Sequence, residues 1–413
     1  MIGATTSGEL RAHNRVRLLR AVHDCGATRT RSQLTRDLNL ARGTASVLVA
    51  GLAEDELLHE EPAPEPARGR PTQVPGPHPR GPVALAVDVR EDAWELAACE
   101  LGGRTTVLGL QSHDGTPEGV LGPLGDAIAA HRRRLGHRVV GVGVALAGPV
   151  RHGGLVDIAH LGWRSVDVPH LLGLEGEAGA EGPIVGNDTA FAALAEARRG
   201  RLQGVRVGLH LHVDFDLGGV LVVEGRPLAG ASGMGAEFGH MPLAGGDRLC
   251  PCGAIGCWGM DVGANALLRH VGLAHGGGRG RAQAEQVLAT SEEAVEANAR
   301  ALGRGVAALV NAHDPEVVTL SGHGVELYER AGQTLMDSCG PGLMAIRRDH
   351  PPRIEGSALG WRGALLGAME SVFDAFLTPE ELEKWRENHP DQGRDTPEQQ
   401  NVTHSTLMGA KPL

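Results

Sequence analysis

Residues 237–257 read EFGHMPLAGGDRLCPCGAIGC. Within that run, His240, Cys250, Cys252 and Cys257 offer one imidazole and three thiolates, a closed four-donor set suited to structural zinc. Gly253 and Gly256 free the backbone to wrap tightly between ligands. No donor position is left for a reactive water, so hydrolytic metal chemistry is disfavoured. Buried or redox-active thiols are the alternative. Cys25, Cys99 and Cys339 are scattered and read as small core residues. Three thiols crowded into eight positions of a 413-residue chain fit metal binding in a reducing cytoplasm better than a disulfide framework.

A second candidate group lies near the N-terminus. Val16, Leu19 and Val22 share one face of a predicted helix over Leu10–Val22. A shorter helix follows at Ser32–Leu38, with Leu34 and Leu38 paired at i,i+4. Asn39 tolerates the left-handed backbone of a tight turn. A third helix runs Arg42–Leu52 with Ala45, Leu48 and Leu52 inward. This is helix-turn-helix spacing. Arg42, Thr44 and Ser46 face outward at the start of the third helix, where they could meet base edges and phosphates in a major groove. Leu57–Glu60 would be a wing strand, with Arg68 and Arg70 of Arg68-Gly69-Arg70-Pro71 at the wing tip, placed for a narrow minor groove. The alternative is a three-helix bundle that binds no DNA.

The charge distribution supports the first of these. Eight arginines against Glu9, Asp24 and Asp37 give residues 1–52 a net +5, so the remainder carries about −16 of the chain's −11 total. The overall balance excludes a basic nucleic-acid coat protein but not a local basic module. Lysine occurs only at Lys384 and Lys411. No apolar run reaches the roughly 18–20 residues of a membrane span. Met1–Leu10 lacks the basic-then-apolar order of a signal peptide, so a cytoplasmic location with no membrane partner is expected.

The positioning elements come next. Residues 59–82 hold eight of the 24 prolines, which cannot form a helix interior or central strand. Beyond them, β-rich runs (Val83–Val89, Val139–Ala147, Val317–Leu320) alternate with helical stretches (Asp188–Arg199, Ala301–Ala312), which argues for an α/β fold. The expected divisions are a winged helix-turn-helix at 1–74, a proline-rich linker at 75–82, a body at 83–378, and a polar, frayed tail at 379–413.

These residues together resemble the ROK proteins (repressors, open reading frames, kinases). The likeness includes the Arg-Gly-Arg-Pro wing, the run from Val142 to Gly148-Pro149, Gly162-Trp163 followed by Ser165-Val166-Asp167, Gly186-Asn187-Asp188, Glu237-Phe238-Gly239-His240, and the cysteine run. It implies two actin-like, ribonuclease-H-like lobes around a cleft, usually in a dimer or a dimer of dimers. Family kinases phosphorylate a hexose bound in that cleft. By this resemblance Asn187, Asp188, Glu237 and His240 are ligand contacts, Asp188 falls at the general-base position, and His240 doubles as a zinc ligand. Zinc would then hold the ligand-facing loop in place.

The chain departs from the kinase pattern at the two phosphate turns. The first reads Asp88-Val89-Arg90-Glu91-Asp92 where the family has Asp-x-Gly-Gly-Thr. The second reads Asp214-Phe215-Asp216-Leu217-Gly218 where it has Gly-Thr-Gly-x-Gly. Side chains block the close backbone approach that phosphates need. Unit charges about 4 Å apart at an effective dielectric near 20 repel by about 4 kcal/mol. A Gly also stands at 259 where the family often has Glu, and Trp258 beside it could stack on a hexose. The expectation is a protein that is not an enzyme, with Asp188 vestigial as a base. It would be a dimeric transcriptional regulator, most commonly a repressor, gripping a double-stranded operator and sensing a sugar or sugar derivative. The alternatives are a ligand-independent, zinc-stapled DNA-binding dimer and an ATP-dependent sugar kinase.

Overall fold

The computed structural model describes residues 7–63, 73–175, 182–235, 237–273 and 279–388. The N-terminal head comprises α1 (Ser7–Asp24), α2 (Arg31–Asp37) and α3 (Arg42–Glu54), then β1 (Leu58–Pro62) paired antiparallel with β2 (Gln73–Pro77). Thr30 caps α2, its hydroxyl accepting from Gln33 N, while the Gln33 side chain accepts from Thr30 N. Asn39 takes φ 53° in the turn before α3, the left-handed backbone expected of it.

Two lobes share one strand plan. The first contains β3 (Val83–Val89), β4 (Ala93–Glu100), β5 (Thr105–Ser112), α4 (Pro117–Leu135) and β6 (Val139–Leu146). A small sheet of β7 (Val150–Arg151), β8 (Leu155–Val156) and β9 (Val166–Asp167), with α5 (Val168–Leu171), precedes β10 (Ile184–Asn187) and α6 (Asp188–Arg199). The strand order is β10-β6-β3-β4-β5, with β10, β6 and β3 parallel and the β3–β4–β5 meander antiparallel. β3 (VALAVDV) is buried along its whole length, as a central strand covered on both faces must be.

The second lobe repeats the plan. It contains β11 (Val207–Val213), β12 (Leu217–Val223), β13 (Arg226–Pro227), α7 (Ala264–His270), α8 (Arg281–Thr290), α9 (Glu292–His313), β14 (Val317–Gly322), α10 (His323–Cys339), a short α11 (Ala345–Arg348) and β15 (Arg353–Gly356). Its order is β13-β12-β11-β14-β15. The chain then returns to the first lobe through α12 (Gly363–Phe376) and ends, among the described residues, with α13 (Pro379–Asn388).

Three expectations need revision. β2 reaches Pro77, inside the expected linker; a two-stranded sheet has only edge strands, so proline costs it no second ladder. The tail does not fray from 379. α13 buries Leu382 and Trp385, and the Trp385 indole donates to the Asp55 carbonyl at 2.8 Å. Those two apolar residues at i,i+3 are enough to seat an otherwise charged helix; residues 389–413 lie outside the described set. Nor does the linker expected at 75–82 hold the head apart from the body. Leu18, Leu19, Val22 and Leu52 share one apolar cluster with Ala84 and Cys99 of the first lobe and Met369 and Phe373 of α12. Each fully buried Leu or Phe contributes about 1.5–3 kcal/mol. No helix of the described residues is long and apolar enough to cross a membrane.

Candidate functional site

A cavity of about 500 Å³ opens between the lobes, lined by Gly148, Asp157, His160, Asn187, Asp188, Asp216, Glu237 and His240 among others. The junction of β10 and α6 delivers the first pair. Asn187 is the N-cap of α6: its side-chain oxygen accepts from Ala190 N at 3.0 Å, and its amide donates to the Gly148 carbonyl at 3.0 Å. Asp188 begins the helix, one carboxylate oxygen accepting from Thr189 N at 2.5 Å and from the Thr189 hydroxyl at 3.1 Å. Burial raises the Asp188 carboxyl above its ordinary range, although His212 pulls the other way. Glu237 is pushed up to about 7 by burial and then by the neighbouring Asp188 charge. The cavity wall therefore holds two carboxyls, Asp188 and the half-buried Glu237, that can accept hydroxyl hydrogen bonds.

Across the cavity His160 meets Asp216 side chain to side chain. Burial alone would lower the imidazole, but the Asp216 carboxylate prevails and holds it above its ordinary value. Asn265 Nδ2 donates to the other Asp216 oxygen at 3.4 Å.

The cysteine knuckle adjoins this wall. The donor atoms of His240, Cys250, Cys252 and Cys257 lie within 4.8 Å of one another. Cys252 and Cys257 sulfurs are 3.7 Å apart, and Cys250 Sγ stands 3.8 Å from His240 Nδ1. Thiolates at about 2.3 Å from a tetrahedral ion are separated by about 3.8 Å, so the group fits a metal ion. Gly253 and Gly256 adopt φ 96° and 73°, the wrapping role read from the sequence. With Nδ1 turned to the thiols, His240 Nε2 faces Glu237 Oε2 at 4.0 Å. The knuckle thus braces the loop that carries a cavity carboxylate.

Arg281, on α8, bridges the two turns whose glycines are replaced. Its Nε donates to Asp92 at 2.6 Å and its Nη1 to Asp214 at 2.9 Å, with further bonds at 3.2 Å to each carboxylate. The guanidinium lies 4.7 Å from the Phe215 ring centroid and 5.5 Å from that of Trp361. Burial alone would raise Asp214, yet Arg281 holds it below the usual carboxylate range. Asp92 and Asp214 therefore share one guanidinium, which offsets part of the repulsion expected of them.

The structure gathers Asn187, Asp188, Glu237 and His240 at one cavity. Arg42, Thr44 and Ser46 are all exposed on α3; Arg68 and Arg70 lie outside the described residues. Trp258 does not reach the ligand space. It is 1% exposed, packs on Gly305, and its indole donates to the Ala301 carbonyl at 2.9 Å. Sequence reasoning missed His160 and its contact with Asp216. Their signal was available, since His160 stands two residues before Gly162-Trp163. Arg281 had none, lying 189 residues from Asp92.

The model of the ROK family matches residues 92–374. The chain belongs to the ROK family. Glucokinase of Streptomyces coelicolor is 31% identical over 157 residues, covering 38% of this chain, which spans about half (48%) of that relative's length. A putative xylose repressor of Caldicellulosiruptor is 26% identical over 262 residues, 58% of this chain and 64% of that one. Among solved structures, a ROK family transcriptional regulator homologous to the Mlc protein of E. coli superposes with TM-score 0.67 at 20% identity, covering 91% of this chain and 99% of that one. A ROK glucokinase from Streptomyces griseus, solved with glucose and AMPPNP, gives 0.60 at 22% identity, covering 71% and 99%. The ROK fold is therefore the two-lobed α/β architecture described above. The expectation of a non-enzyme is overturned. Named sugar kinases stand among the relatives and structural neighbours of this ROK chain, and Arg281 offsets part of the charge counted at the two turns.

Proposed function

We propose that this ROK protein is a DNA-binding transcriptional regulator that senses a sugar or sugar derivative in the cleft. The observation that carries the reading is the head. Three helices and a two-stranded sheet, in winged-helix order, present Arg42, Thr44 and Ser46 to solvent while sharing a core with the ligand-bearing body. The regulator neighbour covers 91% of the chain and the glucokinase neighbour 71%, which supports a role for the added part. The head comprises residues 1–77, and its arginines, including Arg68 and Arg70, hold phosphates and groove edges. A homodimer sets two heads on a palindromic operator, and ligand alters their spacing. The ion of the knuckle is zinc, held by His240, Cys250, Cys252 and Cys257 as a structural site.

The kinase relatives favour a second reading, phosphorylation of the same sugar, with Asp188 taking the hydroxyl proton. One set of measurements separates them. DNA retention on operator candidates is titrated with glucose, xylose and N-acetylglucosamine, alongside a coupled assay with Mg-ATP. Sugar-sensitive retention supports the first reading, and turnover supports the second. Asp188→Asn should weaken sugar binding about 10–100-fold, since hydrogen bonds to a charged acceptor contribute about 1.5–3 kcal/mol. Arg42→Ala should weaken DNA binding and leave sugar binding intact. Unchanged DNA retention would remove α3 from the interface.

A further inference from the structure

The buried polar groups between the head and the body have no part in the cavity or the knuckle. His23 of α1 and Glu370 of α12 are both fully buried, with His23 Nε2 at 3.2 Å from Glu370 Oε2. Arg199 of α6 donates to the second Glu370 oxygen and, at 3.1 Å, to the Gly102 carbonyl. The Gly102 N–H donates to His23 Nδ1 at 3.0 Å. His23 Nε2 also lies 2.9 Å from Arg199 Nη2, so the imidazole is held by the Gly102 amide, the Glu370 carboxylate and the Arg199 guanidinium together. A second rung lies one turn on: Arg20 of α1 and Arg198 of α6 both donate to Asp374 of α12. The last two residues of α6 thus hold α1 through two carboxylates spaced i,i+4 on α12.

The other end of α6 is the ligand end. Asn187 caps it and ties it to Gly148, and Asp188 opens it into the cavity. Twelve residues at about 1.5 Å each put the ends about 18 Å apart. Between them α6 rests directly on α12. A Cβ at Gly367 would run into the Phe191 carbonyl, and one at Gly363 would stand 3.0 Å from the Ala192 Cβ. Helices with backbones this close slide or tilt as a body and do not bend locally.

We propose that α6 is a strut coupling the cavity to the head, with Arg198 and Arg199 as positioning residues that grip α1 through Asp374 and Glu370. A ligand that shifts Asn187 or Asp188 moves the far end of the same helix, and with it the tilt of the head. The inference takes the cavity as the ligand site proposed above. Coupling of this kind is reciprocal.

The test is hydrogen exchange on the full chain, free of sugar and DNA, so a failure of sugar or DNA binding does not affect the readout. Arg198→Ala/Arg199→Ala should speed exchange about five-fold or more, the low end of ordinary site-to-site coupling, in residues 18–24 and also in residues 186–191 at the distal end. Asn187→Ala should speed exchange in residues 18–24 by a comparable factor. Arg199→Lys, which keeps a charge at Glu370, should restore much of the distal protection. A merely structural ladder would loosen only residues 18–27 and 99–103. Should the double variant fail to fold, Arg198→Ala alone, at the more exposed rung, reads the same two regions. Changes confined to the mutated end in both directions overturn the proposal.

Discussion

Asp92 and Asp214 face each other with Arg281 between them, while Asp188 and Glu237, in the same cleft, meet no arginine or lysine among the described residues. Both sets are carboxylates taken out of bulk water. One is bonded by a guanidinium that reaches both members, holds Asp214 below the usual carboxylate range and lies against two aromatic rings. The other is pushed toward its neutral form by burial and mutual repulsion. Residue type alone decides nothing here. The partner decides whether a carboxylate fastens the two lobes together or stands without a cation in the cleft.

Removing the partner should have the largest effect. Arg281→Ala leaves Asp214 without its guanidinium and Asp92 with only Arg90, 4.0 Å away, and breaking a buried pair from one side costs about 3–5 kcal/mol. Asp92 keeps 27% of its side-chain exposure, so about 3 kcal/mol is expected in urea unfolding at pH 7. The loss should shrink in acid, because a carboxylate held low in the fold contributes stability above its unfolded value and loses it as pH falls through its folded value. Asp92→Asn in the Arg281→Ala background should recover part of the loss. No recovery would show that Arg281 acts through its aromatic stacking and not through the charges.

A third case is Asp88 at the end of β3, which burial pushes up to about 7 although Arg90 stands 3.8 Å away. A carboxyl raised in the fold has the opposite sign. It binds its proton more tightly folded than unfolded, so stability is full below about pH 4, where both states are protonated, and declines as pH rises through about 7. Wild-type unfolding free energy should therefore fall between pH 5 and pH 8. Asp88→Asn should flatten that slope and gain about 2 kcal/mol or more at pH 8, since each tenfold difference in proton affinity between the folded and unfolded chain amounts to about 1.4 kcal/mol. Parallel slopes in the two proteins would mean that Asp88 stays ionised through contacts with its neighbours.

The contrast between the two sets also marks what could be read without coordinates. The knuckle was legible because its four donors fall within 18 positions, from His240 to Cys257, and local chain geometry alone brings them together. The head helices were legible through their apolar spacing, and α6 through its limits, Asp188 to Arg199. The duplicated strand plan was hidden, since each lobe reaches its sheet through different turns and helices. The seat of α13 was masked by averaging Leu382 and Trp385 into a charged segment. Arg281 with Asp92 and Arg199 with Glu370 are 189 and 171 residues apart. Nothing in one sequence ties such pairs together, and the phosphate-turn argument counted the anions without the cation.

The smallest effect tests what the aromatic rings add to the paired set. Trp361 is 40% exposed, and its ring centroid lies 5.5 Å from the guanidinium carbon of Arg281, whereas Phe215 is 1% exposed at 4.7 Å. An exposed cation–π contact contributes about 0.5–1 kcal/mol, and a desolvated one about 2 or more. Trp361→Leu keeps apolar cover over the arginine while removing the ring's negative face, so it should cost less than about 1 kcal/mol in urea unfolding. In a double-mutant cycle with Arg281→Ala, the coupling energy should stay below that figure. His323 and His212 also contact the indole edge-on, at 5.0 and 5.9 Å between ring centroids. A coupling well above about 1 kcal/mol would therefore make Trp361 part of what orients the guanidinium between the lobes, and the pairing would owe its strength to the rings as well as to the charges.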